Sequence, residues 1–385
     1  AETLLVADKD EGWVIEMEPN PSGKGGFWVA QKVPDGEFFI AANQFRIRSL
    51  DPNNPDQIFH QSMIDELKKL GWAVFDKEGH LDWLESIRSV ERFHPYSCLR
   101  RVWRGLDMAA PSLKLNPWPE SGNTKEYPFS VKPDQKMTLE DLMSIHRDSY
   151  IGTEFDYTKG ETGGLFAQPY SFGLYNKERV ISTTSITYIW INQFNDKLPA
   201  PISWIALTSP GESVFVPLPV APITDVYSRV NRKVYDESKM YWAATSVGTL
   251  TRGYYSPFIT QVKDTATRLE NASKSLINTS LNLSHDEFNK ALLKNAKKNF
   301  EVWRDLPGKL IASINNGGNI KYAKNQEPKL FRAKNYKDPK EDLNISENKT
   351  KEEGKIDTVL STNSDEMLKQ DISNPPAYVK LSQAN

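Results

Sequence analysis

The sequence predicts an α+β domain with layers of helix and antiparallel strand. Three observations carry this. The first 47 residues alternate in strand fashion, three blocks after them have helical periodicity, and strand-like runs return between residues 181 and 219. The opening strands read TLLVAD, GWVIEME, FWVAQKV and EFFIAAN, with Trp13, Ile15 and Met17 on one face. Polar or Gly/Pro-rich breaks separate them (Asp8 to Gly12, PNPSGKGG and PDG), which is the pattern of an antiparallel meander.

The helical blocks follow in order. FHQSMIDELKKLGW puts Phe59, Met63, Ile64, Leu67 and Leu70 on one stripe, with Gly71 at a C-cap position. YSCLRRVWRGLDMAAP spaces Leu99, Val102, Trp103 and Leu106 at three to four residues and stops before Pro111. Thr138 and Asp141 form a capping-box pattern opening TLEDLMSIHRDSY. Strands then return as ISTTSITYIWI, SWIALT and SVFVPLP. Beyond Ser256 the chain reads as helical, with Ser284 and Glu287 as a second box before FNKALLKNAKKNFEVW. Residues 1–334 are expected to form the domain. Residues 335–385, rich in Lys, Glu, Asp, Asn and Ser and nearly free of aromatics, are expected to be a disordered tail.

Composition narrows the function. Of 385 residues, 38% are hydrophobic, enough for one large core or two modest ones, and the formal net charge is −2. That balance gives no basis for a nucleic-acid surface or a basic membrane anchor, and no apolar run reaches the ~18 residues of a membrane span. Cys98 is the one cysteine, so no intrachain disulfide forms, which fits a reducing compartment and favours the cytoplasm. No leader is visible, and the chain opens Ala1-Glu2 directly into a strand. The five histidines (His60, His80, His94, His146, His285) lack H-x-x-x-H spacing, and no P-loop, dinucleotide loop or G-x-S-x-G elbow is present. Neither a metal nor an organic cofactor is expected. His94 precedes Cys98 by four residues, but no third group orients it, so Cys98 reads as a small buried hydrophobe.

Two stretches remain. EFFIAANQFRI places an amide pair, Asn43-Gln44, where an ordinary strand end would suffice. HRDSYIGTEFDYTKGETGG ends a helix in a glycine-punctuated loop carrying Glu154, Asp156, Thr158, Lys159 and Glu161. That loop reads either as a solvated turn or as one that captures a small charged substrate.

R-D-x-Y-x-G-T-x-F-D-x-T-K-G, Arg147 through Gly160, resembles the signature of cysteine-type dipeptidases related to dipeptidase A of lactic-acid bacteria and to the secernins. GWVIEMEP, FWVAQKVPDGEF, AANQFRI, LFAQPYSFG, RVISTTSITY, SVFVPLPV and KMYWAA follow in the family's order over roughly residues 1 to 270. The resemblance implies an N-terminal-nucleophile hydrolase with a four-layer αββα sandwich, and a leading cysteine whose own α-amine acts as base. This sequence begins with Ala1 instead, and Cys98 lies too deep in the chain to replace that cysteine. The expectation is therefore a scaffold that lacks its nucleophile segment and is inert alone. The resemblance also implies Asn43 as oxyanion donor and Arg101 as electrostatic support, with Arg100 as the alternative because the register slips by one. Arg147, Asp148, Glu154 and Asp156 are the expected substrate-binding residues, supplying both signs for a zwitterionic dipeptide. A non-enzymatic scaffold of the secernin type and an N-acyl amide hydrolase of the same fold are the alternatives, and a homo-oligomer is left open.

Overall fold

The computed structural model describes residues 2–87, 95–119, 124–170, 178–194, 196–223 and 225–315, all within one unit, Ala1–Glu327. The expected tail, 335–385, lies outside the described residues.

Strands β1 (Glu2–Ala7), β2 (Gly12–Pro19) and β3 (Gly26–Val33) form the meander. Two-residue strands follow at β4 (Phe38–Phe39), β5 (Ser49–Leu50) and β6 (Gln57–Ile58). The first sheet has the order β1-β2-β3-β6, antiparallel, with Leu4 opposite Ile15 and Val14 opposite Gln31. Alternation works on both sides of it. Val14, Phe27 and Val29 turn into a core closed by Met63, Ile64 and Leu67 of α1 (Gln61–Lys69). The other side leaves Leu4, Val6, Met17 and Trp28 exposed.

EFFIAAN is a strand only at Phe38–Phe39, which pair with β8 (Ser130–Val131), so the expected strand through Asn43 is corrected. The reason is non-local. The chain beyond Phe39 is captured by side chains from β2 and from the 124 region, and it bends instead of pairing. Between these segments lie β7 (Leu81–Asp82), α2 (Trp83–Ile87) and α3 (Pro95–Ala109). Helix α3 buries Leu99, Val102, Trp103 and Leu106, the stripe read from its spacing, and ends before Pro111. Helix α4 (Leu139–Arg147) opens with both halves of the Thr138–Asp141 capping box formed.

The second sheet has the order β11-β10-β9, antiparallel, from β9 (Tyr188–Gln193), β10 (Ile202–Leu207) and β11 (Val216–Pro219). The strand begins at Tyr188 and not at Ile181, because the Ser/Thr run before it closes into turns, with Ile186 N donating to Thr183 O. Helices α5 (Met240–Gly253), α6 (Tyr255–Thr279) and α7 (His285–Asn315) cover this sheet. Val216, Leu218, Val247, Phe258, Phe300 and Trp303 share one core. Helix thus starts at Met240, earlier than the expected Ser256. Among the described residues, no helix is long and apolar enough to cross a membrane.

One buried acid ties the first sheet to the loop after β4. Glu16 is fully buried on β2 and accepts from Arg46 N (2.6 Å), Ile47 N (3.3 Å) and Trp83 Nε1 (3.0 Å). Burial outweighs these donors and lifts its carboxyl to about 8 from 4.5. The unfolded chain therefore releases this proton near 4.5 and the native chain near 8. Glu16's contribution to stability is full below the lower value and lost as pH rises through the upper one. Glu212, buried beside Tyr170 and Arg252 and lifted to about 7, acts in the same sense. The thermal midpoint is expected to fall by several degrees from about pH 5 to about pH 8.5. Glu16→Gln should flatten that slope, and an unchanged slope in the variant would remove Glu16 as its source.

Candidate active site

Helix α3 carries a row of cations, and each reaches a different part of the chain. Arg101 is buried. Its Nη2 donates to Asn43 Oδ1 at 2.9 Å and to Ala42 O at 3.5 Å, and its Nε donates to Ser97 O one turn back at 2.7 Å. Arg104 Nη2 donates to Asp148 Oδ2 at 3.0 Å. Arg100 faces away from Asn43. It pairs with Glu178, donates to Pro117 O at 3.1 Å, and stacks on Phe155 and Trp118 at 3.5 and 4.2 Å from the ring centroids. Arg101 is therefore the arginine that reaches the Asn43 turn, and Arg100 fills an aromatic box.

Asn43 sits at φ 56°, in the left-handed region that Asn tolerates better than most residues. The chain behind it is pinned at every step. Gln44 Oε1 accepts from Thr124 N at 2.9 Å, Thr124 Oγ1 donates to Phe45 O at 3.2 Å, and Arg46 N and Ile47 N go to Glu16. Gln44 is thus built into the scaffold, while Asn43 is exposed. Because Arg101 occupies Oδ1, the amide is oriented. Its Nδ2, the donor end, has no partner among the described residues.

Cys98, buried in α3 one turn before Arg101, donates its thiol to Asn43 O at 3.5 Å. Arg179 adds a second guanidinium, with its Nε donating to Ser97 Oγ at 3.0 Å. Burial, together with the like charge of Arg179, pulls the Arg101 pKa below the usual guanidinium range while the neighbouring Cys98 acts to raise it. It stays cationic at neutral pH. Tyr150 closes this side. It is fully buried at φ 63°, and its hydroxyl donates to Arg179 O at 2.7 Å. An aromatic residue in that backbone region is strained, and such strain concentrates at functional sites. Arg179 and Tyr150 join the cluster around Arg101, and composition did not single them out. Their signal lay in two motifs, RVISTTSITY and R-D-x-Y.

The four charged residues of the 147–156 stretch divide. Arg147, the last residue of α4, donates to Pro210 O and Ser213 O (3.0 Å each) and pairs with Glu270 at 2.5 Å. Asp148 accepts from Arg104 and from Tyr150 N at 3.0 Å. Asp156 accepts from Gly152 N, Thr158 N and Thr158 Oγ1. Against burial, which pushes its carboxyl up, these bonds hold it below the usual range. Glu154 is exposed. Arg147 and Asp148 line one cavity of about 410 Å³, whereas Asp156 braces the loop. Asp76, Glu78 and His80 could bring three metal-ligand atoms within 4.8 Å of one another. That turn is already closed by bonds to Asp76 from Glu78 N, His80 N and Ser49 Oγ.

An oriented amide donor beside two guanidiniums is a place where negative charge on a carbonyl oxygen can be stabilised, the requirement of acyl transfer. Comparison with known proteins gives the family. The sequence profile of Peptidase family C69 matches residues 1–268, and the chain belongs to that family. It is similar to a probable dipeptidase of Latilactobacillus sakei, 23% identical over 267 residues, covering 66% of this chain and 50% of that protein. It is also similar to a probable dipeptidase B of Lactococcus lactis subsp. lactis (strain IL1403), 25% identical over 268 residues, covering 66% and 51%. A probable dipeptidase B of Streptococcus pyogenes serotype M1 is 21% identical over 334 residues, covering 80% and 62%. The chain spans about half to three-fifths of the length of these curated relatives.

The Arg147–Glu270 pair yields a stability prediction. Arg147→Met leaves the Glu270 carboxylate with Phe215 N, at 2.8 Å, as its one remaining donor among the described residues, and should cost about 2–4 kcal/mol in denaturant unfolding. A cost below about 0.5 kcal/mol would show that the pair holds nothing together.

Proposed function

We propose that the chain forms the scaffold and oxyanion-binding part of a cysteine-type hydrolase that cleaves the amide bond of dipeptides. The observation that carries this is the Arg101–Asn43 bond. It turns the amide so that Nδ2 faces outward as a donor on a scaffold that fixes the residues behind it. A thiolate attacks the scissile carbonyl, and charge moves onto the carbonyl oxygen. Asn43 Nδ2 donates to that oxygen, while Arg101 holds the amide and, with Arg179, makes the surroundings electropositive. The collapsing intermediate expels the amine, and water then releases the acyl group from sulfur.

In this reading the thiol belongs to an N-terminal cysteine whose own α-amine is the base, in a four-layer αββα arrangement. The two larger of the four antiparallel sheets among the described residues, one packed against α1 and the other against α5 to α7, are compatible with that arrangement. Cys98 is assigned a structural part, since its Sγ is buried and directed at the Asn43 carbonyl. Arg147 and Asp148 are assigned to the substrate side as cavity-lining residues, and Glu154 and Asp156 act through the loop they occupy. The ligand is a free dipeptide.

Asn43→Ala, in a form of the protein that hydrolyses dipeptides, should lower kcat by about 10²–10³ with little change in KM. A change confined to KM would make Asn43 a binding residue and remove the oxyanion assignment. The 385-residue polypeptide alone is expected to release no amino acids from a dipeptide panel, because its one thiol, Cys98, is buried and directed at the Asn43 carbonyl. Turnover that disappears in Cys98→Ala would instead make Cys98 the nucleophile.

A further inference from the structure

The cavity between the end of α4, the 210–213 turn and α6 has a volume of about 410 Å³, within the range that holds small ligands. Two features of its wall lack a protein explanation. Ser213 is 2% exposed, yet its Oγ has no hydrogen-bond partner among the described residues, although nearly all buried hydroxyls have one. Lys263, on α6 at the rim, forms no ion pair with a described residue. Its side chain is exposed, and partial desolvation, followed by the like charge of Arg147, holds its ammonium below the usual lysine range. The other cation on the wall, Arg147, is neutralised by Glu270, and the one acid, Asp148, by Arg104. Among the described residues, the cavity lining therefore holds one cation without an ion-pair partner, the exposed Lys263, and one buried hydroxyl without a hydrogen-bond partner, Ser213. Ser144 and Thr267 add further hydroxyls to the lining.

We propose that this cavity binds the carboxylate of a free amino acid or dipeptide, with Lys263 as the cationic anchor and Ser213 Oγ as a donor to the same group. The choice of ligand rests on the dipeptidase reading. The uncompensated charge and the hydroxyl do not. A carboxylate supplies what both lack, an anion for the ammonium and an acceptor for the hydroxyl. The substrate and its products share this group, so the geometry fixes the chemistry of the ligand and leaves its source to experiment.

The test is calorimetric titration of the chain with glycylglycine, with glycine, and with glycinamide, which keeps the ammonium and lacks the carboxylate. Glycylglycine or glycine should bind and glycinamide should not. Lys263→Met should weaken binding by about tenfold or more, and Ser213→Ala by a smaller factor. Tighter binding of glycylglycine assigns the cavity to substrate, and tighter binding of glycine to product. Glycinamide binding as well as the acids, unchanged affinity in Lys263→Met, or no heat with any acid up to about 50 mM would each overturn the proposal. Asn43→Ala separates this from the catalytic reading, since it should leave the titration unchanged. Carboxylate binding, with turnover that does not depend on Asn43 in a form of the protein that hydrolyses dipeptides, would sink the catalysis and keep the cavity. Asn43-dependent turnover with no Lys263-dependent binding would do the reverse.

Discussion

The candidate site depends first on a carboxyl group that touches no substrate. Glu16 stands on the middle of the meander and takes the backbone N–H groups of Arg46 and Ile47, and with the indole of Trp83 it closes a polar knot inside an apolar core. Leaving those N–H groups unpaired in that core would cost about 1–3 kcal/mol each. The knot ends the strand run early and turns the chain so that Asn43 comes to lie against α3. A core that must satisfy two main-chain donors thus decides where an exposed amide is held.

From there the molecule is organised by α3. Residues 98, 101 and 104 recur at three-residue steps, and Ser97 stands four residues before Arg101, so these side chains emerge near one another on the helix. They meet Arg179, Asn43 and Asp148, three pieces of chain that are far apart in sequence. Arg100, one residue before Arg101, goes instead to a box of Tyr96, Trp118 and Phe155. Neighbouring arginines thereby have unrelated tasks, for no reason other than a 100° rotation per residue.

How much of this was legible in the sequence follows from the range of each interaction. Helix starts with a local cap could be read: Thr138 with Asp141, and Ser284 with Glu287, make their expected bonds, and Gly71 follows α1 at φ 71°. Segments governed from a distance could not. The end of β4 is set by Glu16 and Thr124. The start of α5 was missed because KMYWAATSVG lacks a capping side chain, Lys239 making no such bond. The site was legible as motifs more than as chemistry. Asn43 and Arg101 could be named, but the bond between them requires two segments to meet that no periodicity connects. Arg147 and Asp156 looked available in the sequence and are extensively hydrogen-bonded in the fold.

Asn43 is held at two points by one helix. Cys98 takes its main-chain oxygen and Arg101 its side-chain oxygen, three residues apart on α3. A donor carried on a surface turn would ordinarily share the positional spread of a loop. Fastened this way, it takes the spread of a fifteen-residue helix packed into a core. Electrostatic stabilisation of a transient charge tolerates errors of only about 0.5 Å in the donor. For the oxyanion role proposed for Asn43, the double attachment is a matter of tolerance as much as of affinity, because it fastens a turn residue to one helix at two points.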